Sequence, residues 1–387
     1  MSARIFVPRE STPGEKRVAA TPETVKRYLK AGVTVGVETG AGAGAYISDE
    51  AFRDAGAEIV ADARQGWTNA DIVLKVAPPT RHAQLGDEAV LLKDGAVLVC
   101  HVWAYKNLPL VKTLAARKIS CLALELVPRI SRAQTMDVLS SQANVAGYKA
   151  VLLAAARLPK YFPLLMTAAG TIQPARVVIM GAGVAGLQAI ATARRLGALV
   201  EVSDVRPEVK EQVESLGAKF IDLPMQESGA GEGGYAKEMS ADFLRKQQEI
   251  VAARVVASDC VITTAQIPGR PAPRLITAET VKNMRPGSVI VDLAAESGGN
   301  CELTEAGKEI EKHGVTILGF SDLPSSMATD ASQLFARNVA ALLGPFLKEG
   351  QVQLDLEDDV VKGALLTHQG EVRHEPTAKA LAQGGAA

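Results

Sequence analysis

Short apolar runs alternate with helical stretches over the first 127 residues of the chain. Five runs are rich in β-branched residues: RIFVP, VTVGVET, DIVLKVA, AVLVCHVWA and ISCLALELV. A second series begins near Val177 and contains RVVIM, LVEVS, KFIDL, CVITTA, SVIVDLA and VTILGF. Strands that alternate with helices form parallel sheets with helices on both faces. The pattern therefore predicts an α/β protein with two doubly wound parallel-sheet layers.

A long helix is predicted between the two series. Residues 137–158 have helical spacing, a polar start and no internal proline. After about Ser326 the chain holds one more helix, over 329–349, and a possible hairpin, over 351–372, which is too little for a third core. We expect this part to return to the first layer, so that two long helices join the domains around a cleft. The last ten residues are expected to form a frayed tail.

This organisation gives two domains, of which the first is discontinuous. The expected bounds are 1–136 with 328–387 for the first domain and 137–327 for the second. A chain of 387 residues that is 47% hydrophobic can bury two cores. Its longest apolar segment, 177–193, is rich in glycine and shorter than the roughly 20 residues of a membrane span. A strand, a turn and a buried helix explain that segment better.

Charge and cysteine usage exclude some classes of function. The chain has 42 basic and 43 acidic residues, and no block of like charge suits a nucleic acid. We predict that its four cysteines, at 100, 121, 260 and 301, are reduced core residues of a cytosolic protein. The N-terminus lacks the pattern of a signal peptide. No grouping of histidine, cysteine or carboxylate side chains has metal-ligand or nucleophile–base spacing.

A glycine-rich turn follows the strand RVVIM. Gly181, Gly183 and Gly186 have GxGxxG spacing, and the helix VAGLQAIATARRLGA begins within the turn. Glycine allows the tight turn, the close approach of the backbone to a pyrophosphate and the close packing of helix on strand. The free N–H groups of the helix then bind the pyrophosphate. The order of strand, turn and helix predicts a Rossmann-like NAD(H) site, the alternative being glycines that serve packing alone.

An acidic residue follows the turn at the spacing of a dinucleotide site. Asp204 ends the strand LVEVSD, about 20 residues after the first glycine. A carboxylate there accepts hydrogen bonds from ribose hydroxyls and repels a 2′-phosphate, which favours NAD over NADP. Arg206 argues the other way, because a nearby arginine can bind that phosphate. We expect NAD(H), with Pro207 turning Arg206 away.

Polar residues follow the strand ISCLALELV, in the segment PRISRAQTMDVLSSQ. Ligands of α/β proteins bind at the carboxyl ends of parallel strands. The candidates are Arg129, Ser131, Arg132, Gln134, Asp137 and Ser140. The alternative is that Asp137 is only a helix N-cap and that the arginines are solvated. A second segment, 226–239, is a glycine-rich insert that suits either a functional loop or a disordered linker.

Eight segments of the sequence form a pattern that extends over nearly its whole length: VPRESTPGEKRVAATPETV, PRISRAQTMDVLSSQANVAGYKA, GAGVAGLQAI, DVRPEVKEQV, GGYAKEM, PGRPAPRLIT, GSVIVDLAAESGGN and SDLPSSMATDAS. In these segments the sequence resembles the NAD(H)-binding domain I, or alpha-1 subunit, of the proton-translocating nicotinamide nucleotide transhydrogenases. PRISRAQTMD and GGYAKEM are more specific than the glycine turn.

The resemblance implies roles for particular residues. The residues that would position the nicotinamide, without acting as acid or base, are Arg129, Gln134, Asp137, Ser140 and Tyr235. The implied NAD(H) contacts are Arg129, Ile130, Ser131, Gln134, Thr135, Met136, Asp137, Ser140, Gly181, Gly183, Val184, Gly186, Asp204, Val205, Arg206, Gly234, Gln247 and Gln266. Gln266 departs from the family, in which a leucine precedes IPG. The insert would be a mobile loop that closes over the nucleotide and excludes water.

The resemblance also implies an activity that needs partner subunits. The chain would bind NADH and pass its hydride directly to NADP+, the oxidised form of NADP(H), which is held on a partner domain. A membrane-spanning component would move protons. The cofactors supply the reactivity, and the protein supplies position. A homodimer is implied, with no direct insertion into the membrane. Its place would be cytoplasmic, on the inner face of the cell membrane through its partner subunits.

Alanine dehydrogenase is the main alternative, because its two-domain architecture and VPRE-like start are similar. That enzyme needs a lysine and a histidine to hold and deprotonate a small amino acid. Lys75 matches the lysine, but Trp103 stands at the histidine position and Glu296 replaces the expected aspartate. His101 lies two residues from Trp103, on the same face of a strand. We expect His101 to be a buried, hydrogen-bonded core residue and Lys75 to be structural. A third hypothesis is a non-enzymatic NAD sensor.

Overall fold

The computed structural model describes residues 2–222, 241–267 and 269–383. The chain forms two compact units: unit 1 contains residues 1–142 and 325–387, and unit 2 contains residues 143–324. The expected bounds, at 136/137 and 327/328, lie a few residues from these. Unit 1 is therefore built from both ends of the chain, and unit 2 from one continuous segment.

The strands are two to five residues long. In chain order they are β1 Arg4–Val7, β2 Thr34–Glu38, β3 Glu58–Val60, β4 Ile72–Leu74, β5 Arg81–His82, β6 Gly86–Asp87, β7 Val97–Cys100, β8 Ser120–Ala123, β9 Leu165–Thr167, β10 Gly170–Ile172, β11 Arg176–Met180, β12 Leu199–Ser203, β13 Lys219–Phe220, β14 Cys260–Thr263, β15 Val289–Asp292, β16 Glu309–Lys312, β17 Val315–Leu318, β18 Leu347–Lys348, β19 Gln351–Val352, β20 Leu365–His368 and β21 Glu371–Val372.

The helices in chain order are α1 Pro22–Lys30, α2 Asp49–Asp54, α3 Ala63–Asn69, α4 Glu88–Leu91, α5 Leu108–Ala116, α6 Val138–Arg157, α7 Val184–Arg195, α8 Lys210–Ser215, α9 Ala241–Val256, α10 Ala278–Lys282, α11 Ala328–Leu343, α12 Asp359–Ala364 and α13 Glu375–Ala382. The predicted long helix is α6, which spans the division between the units. The second helix that was expected to join the domains, α11, begins at Ala328, after unit 2 ends at residue 324. It therefore lies wholly in unit 1.

The sheet of unit 1 has the strand order β21-β20-β8-β7-β4-β1-β2-β3. Strands β1, β4, β7 and β8 are buried at almost every position, because helices cover both faces. Successive residues of β1 pack on opposite faces: Ile5 and Val7 belong to one core cluster and Phe6 to another. The two α/β sheets confirm the predicted fold class.

The C-terminal residues complete the sheet of unit 1. Strand β20 pairs with β8 antiparallel, and β21 pairs antiparallel with β20. The expected hairpin is therefore present over its second half, while α12 occupies some of the expected span. The prediction of a frayed tail from residue 378 was wrong as far as residue 382, because α13 continues to Ala382 and Leu381 packs on the core.

The sheet of unit 2 has the order β13-β12-β11-β14-β15-β17-β16, and all its pairs are parallel except that of β16 with β17. The registers align the ends of the central strands: Met180 lies beside Ser203 and Thr263, and Thr263 beside Asp292. The loops that follow β11, β12, β14 and β15 therefore start at one edge of the sheet.

Two further predictions concern apolar residues. Segment 177–193 forms β11, the glycine turn and most of α7, as predicted. The four cysteines are free and buried, as predicted, and burial raises the pKa of the Cys260 thiol to about 12. Among the described residues, no helix has the combined length and apolar character that crossing a membrane requires.

Candidate functional site

The first glycine of the turn lets the chain leave β11 and enter α7. Gly181 has φ +104°, a left-handed conformation that strains other residues. Its N–H donates to the carbonyl of Ser203 at 2.8 Å. A Cβ at this position would collide with the Thr264 hydroxyl, which donates to the carbonyl oxygens of Met180 and Gly181, both at 3.2 Å. The turn is thus held from β12 on one side and from the end of β14 on the other.

The other two glycines of the turn differ in what surrounds them. A Cβ at Gly186 would overlap the carbonyl oxygen of Gly181, so glycine is required for the helix to pack this closely on the strand. Gly183, the N-cap of α7, has an ordinary φ of −76°, and a Cβ there would meet no atom of the described residues within 4 Å. Gly183 therefore keeps open the space in front of the first N–H groups of α7, where an anion can bind.

Asp204 directly follows β12, and both oxygens of its carboxylate accept hydrogen bonds from the protein. One oxygen accepts the N–H of Ala182 at 2.7 Å, which ties Asp204 to the turn. Arg206 donates from its backbone N, Nε and Nη2, each at 2.9 Å. The expectation that Pro207 turns Arg206 away was wrong. The flexible arginine side chain folds back over one residue, and the bidentate pair raises the pKa of its guanidinium.

Buried polar residues that the sequence analysis missed fix the neighbouring loops. Asn300 is fully buried; its amide oxygen accepts from Ala265 N at 3.1 Å, and its nitrogen donates to the carbonyls of Ala265 and Pro273, both at 2.8 Å. Asp292 accepts hydrogen bonds from Thr263, Ala294, Cys301 and Thr304. The signal in the sequence was their polarity beside apolar runs; the bonds of Asn300 to Ala265 and of Asp292 to Thr263 join residues far apart in the chain.

Gln266, the departure from the family pattern, lies next to this network. Its side chain is exposed, and its amide nitrogen donates to the carbonyl of Leu293 at 2.7 Å. The glutamine thereby joins the loop after β14 to the end of β15, a bond that leucine could not make.

The polar segment of unit 1 forms a short 3-10 helix, Ser131–Met136, directly before α6. Asp137 has the N-cap role considered above: one carboxylate oxygen accepts from Ser140 N at 2.8 Å and the other from the Ser140 hydroxyl at 2.6 Å. Gln134 is exposed, whereas Met136 is buried. The carbonyl of the exposed Thr135 accepts from the Asn338 amide of α11 at 2.7 Å.

Arg132 fastens this segment to α12. Its guanidinium donates to both oxygens of Asp358, at 2.8 and 2.5 Å. Asp358 is also the N-cap of α12 and accepts from the N–H groups of Val360 and Val361. The hydrogen bond from Arg132 lowers the pKa of the Asp358 carboxyl. The Arg132 side chain is exposed to solvent, as the alternative interpretation held, but it also forms an ion pair with Asp358.

A pH dependence follows from the lowered pKa of Asp358. The pair stabilises the fold above the usual pKa of aspartate, about 4, and this contribution is lost as the pH falls through the lower folded value. Asp358→Asn keeps an N-cap of equal quality and removes the charge. Thermal unfolding should show a loss of about 0.5–1 kcal/mol at pH 7 and a smaller loss as the pH is lowered toward 2. Glu371→Gln, which removes a more exposed pair with Arg373, is the control. Equal losses at both pH values would contradict the pairing.

Lys75 lies in a buried ionic cluster of unit 1. It is fully buried, with Nζ 3.1 Å from Glu10 and 3.3 Å from Glu88, and both carboxylates are also buried. These are ion pairs without good hydrogen-bond geometry. Burial lowers the pKa of Lys75, but the two glutamates outweigh it and the net shift is upward. A lysine held charged in this way is poorly suited to act as a base, in agreement with the structural role expected for it.

His101 is buried, as predicted, but its expected hydrogen bond is not made at Nδ1. That atom lies 3.6 Å from Glu125 and has no hydrogen-bond partner among the described residues. The ring stacks on Trp103, with centroids 5.0 Å apart. The strand ends at Cys100, so the two rings meet through a turn in which Trp103 has φ +50° rather than through strand alternation.

The predicted site residues fall into three groups. Unit 2 brings together Gly181, Gly183, Val184, Gly186, Asp204, Val205, Arg206 and Gln266 at one edge of its sheet. Unit 1 contains Arg129, Ile130, Ser131, Gln134, Thr135, Met136, Asp137 and Ser140 in one continuous segment. Gly234, Tyr235 and the side chain of Gln247 lie outside the described residues.

Comparison with known proteins confirms the family resemblance. The family models for Alanine dehydrogenase/PNT match residues 6–146 for the N-terminal domain and 150–375 for the C-terminal domain. An alpha-subunit polypeptide of the NAD(P) transhydrogenase of Rhodospirillum rubrum is 52% identical over 375 residues, which cover 96% of this chain and 98% of that protein. The subunit alpha of Haemophilus influenzae is 49% identical over 95% of this chain and 71% of its own length.

A solved structure agrees with these sequence matches. The crystal structure of transhydrogenase from Sinorhizobium meliloti superposes with a TM-score of 0.85 at 46% identity, covering 95% of this chain and 99% of that one. Alanine dehydrogenase of Methanococcus maripaludis is more distant, at 31% identity over 97% of this chain and 96% of that protein. The chain therefore belongs to the alanine dehydrogenase/PNT family and, within it, to the alpha subunits of NAD(P) transhydrogenase.

Proposed function

We propose that this chain is the NAD(H)-binding subunit of a proton-translocating transhydrogenase. In the forward direction, NADH bound to it gives a hydride, a hydrogen with its electron pair, to NADP+ on a partner domain, which leaves NAD+ and NADPH. The observation that carries the proposal is the turn from Gly181 to Gly186 with Asp204 beside it. Homodimer formation, coupling to proton movement and attachment to the inner face of the membrane through partner subunits belong to the same proposal.

The residues at the edge of unit 2 suit a dinucleotide. Gly183 leaves space before the N-terminus of α7, which suits a pyrophosphate. The Asp204 carboxylate at the end of β12 suits ribose hydroxyls. NAD(H) supplies the hydride chemistry when bound, and the protein has only to bind, orient and exclude water.

The nicotinamide end of the site is proposed from the family resemblance. Arg129, Gln134, Asp137 and Ser140, together with Tyr235, would orient the ring, and none would transfer a proton. The hydrogen bonds between Asp137 and Ser140 hold that carboxylate in one orientation. Such fixed positioning is what direct hydride transfer requires, because the two reacting carbons must approach to about 3–3.5 Å.

A reconstitution assay tests this function against the alternatives. The purified chain is titrated with NADH and then assayed for NADP+ reduction with and without a transhydrogenase NADP(H)-binding domain. We expect NADH binding by the chain alone and hydride transfer only after the partner is added. Reduction of NAD+ that depends on alanine would overturn the proposal in favour of alanine dehydrogenase. NADH binding without transfer to any partner would instead favour a sensor.

A further inference from the structure

The ion pair of Asp204 and Arg206 occupies the position that discriminates between NAD and NADP. In a dinucleotide site of this type, the residue at the end of the second strand faces the adenosine ribose. A carboxylate suits the 2′-hydroxyl of NAD(H), and an arginine suits the 2′-phosphate of NADP(H). This chain has both groups, two residues apart, and they are bonded to each other.

The guanidinium is held tightly by the carboxylate. Its Nε and Nη2 each donate at 2.9 Å, one to each oxygen of Asp204, and the backbone N–H of Arg206 adds a third bond. The two side chains are 16% and 6% exposed, so water screens the pair only weakly. The pair of guanidinium N–H groups that could bind a phosphate side by side is the pair that already binds Asp204.

We propose that Asp204 excludes 2′-phosphorylated dinucleotides by holding the Arg206 guanidinium, and that Arg206 is a latent ligand for the 2′-phosphate. This inference rests on the proposed function, since it takes the adenosine ribose to lie beside Asp204. It makes the carboxylate act twice: it repels the phosphate directly, and it removes the cation that would bind the phosphate.

Three arrangements of these residues give different results when the carboxylate is neutralised. If Asp204 acts only by repulsion, its loss improves NADPH binding equally with and without Arg206. If Arg206 already binds the 2′-phosphate, its loss weakens NADPH binding in the presence of Asp204. If Asp204 both repels the phosphate and holds Arg206 away from it, most of the gain in NADPH binding appears only when the carboxylate is absent and the arginine is present.

The experiment is a double-mutant cycle read by binding. Asp204→Asn, Arg206→Gln and the double variant are titrated with NADH and NADPH, and with ADP and adenosine 2′,5′-bisphosphate as probes of the ribose end. Asparagine can still accept from Ala182 N, which preserves the turn; Asp204→Ser is the second variant if the first fails to fold. Glu309→Gln removes a bidentate ion pair of the same geometry but greater exposure, with Arg157, and serves as the control for loss of an ion pair.

We expect Asp204→Asn to bind NADPH about 10- to 100-fold more tightly than the unaltered chain, the value of a charged hydrogen bond to phosphate. The double variant should lose most of that gain, and Arg206→Gln alone should bind NADPH as poorly as the unaltered chain. Equal affinities of Asp204→Asn and the double variant for NADPH would overturn the inference. An unaltered chain that fails to bind NADH would instead overturn the proposed function.

Discussion

Replacement of Gly183 by valine is expected to weaken NADH binding by about 100-fold or more while the chain keeps its fold. The backbone of Gly183 accepts any residue, with φ −76°, and a Cβ there has no neighbour within 4 Å in the described parts of the chain. That space is where a pyrophosphate would approach the N-terminus of α7. Titration with NADH measures the loss, and circular dichroism checks the fold.

Two other glycines provide the controls for Gly183→Val. Gly344→Ala places a Cβ in equally open space in unit 1, and its NADH affinity should equal that of the unaltered chain. Gly186→Val should instead destabilise unit 2, because the added side chain overlaps the carbonyl oxygen of Gly181. NADH binding by Gly183→Val at the original affinity would mean that the turn does not hold a pyrophosphate.

Replacement of Lys75 by methionine is expected to destabilise the chain by about 3–5 kcal/mol, because Glu10 and Glu88 are then left buried without a cation. Burial already raises the pKa of Glu10 in the intact cluster. Groups with a raised folded pKa lose stability as the pH increases. The loss in Lys75→Met should therefore be larger at pH 8 than at pH 5, as denaturant unfolding at the two pH values would show.

The triple variant Lys75→Met with Glu10→Gln and Glu88→Gln separates charge from packing. It should recover some of the lost stability, because no uncompensated charge is left buried. The NADH affinity of Lys75→Met should be unchanged under conditions where it is folded. A variant that unfolds like the original chain, yet loses an alanine-dependent activity, would assign Lys75 to catalysis instead.

The central strands of both sheets were predictable from apolar periodicity, but one edge strand of each sheet, β3 in unit 1 and β16 in unit 2, was not. Strands β1, β7, β11 and β14 bury nearly all their side chains, so each leaves a clear apolar run. Strand β16, with the sequence EIEK, and the three-residue β3 bury few side chains and resemble loops. Their pairing depends on neighbouring strands rather than on their own composition.

The candidate site divides in a similar way between local and distant interactions. The glycine turn was predictable because strand, turn, helix and acidic residue follow at fixed spacing. The cap formed by Asp137 was predictable as an alternative, because it spans three residues. The orientation of Arg206 was not predictable, because a long, flexible side chain can reach several partners and the spacing in the sequence does not show which of them it binds. The hydrogen bonds of Asn300 with Ala265 and of Asp292 with Thr263 join segments far apart in the chain and have no local signature.

The pairing of β20 with β8 has a consequence for how the protein is made. The ribosome synthesises residues 120–123 long before residues 365–368, with all of unit 2 between them. Strand β8 therefore stays an open, apolar edge during most of translation, and such edges recruit strands from other chains. Unit 2, which is continuous, can complete its sheet first. We expect nascent chains released before residue 365 to aggregate through β8, and chaperones to be needed during that interval.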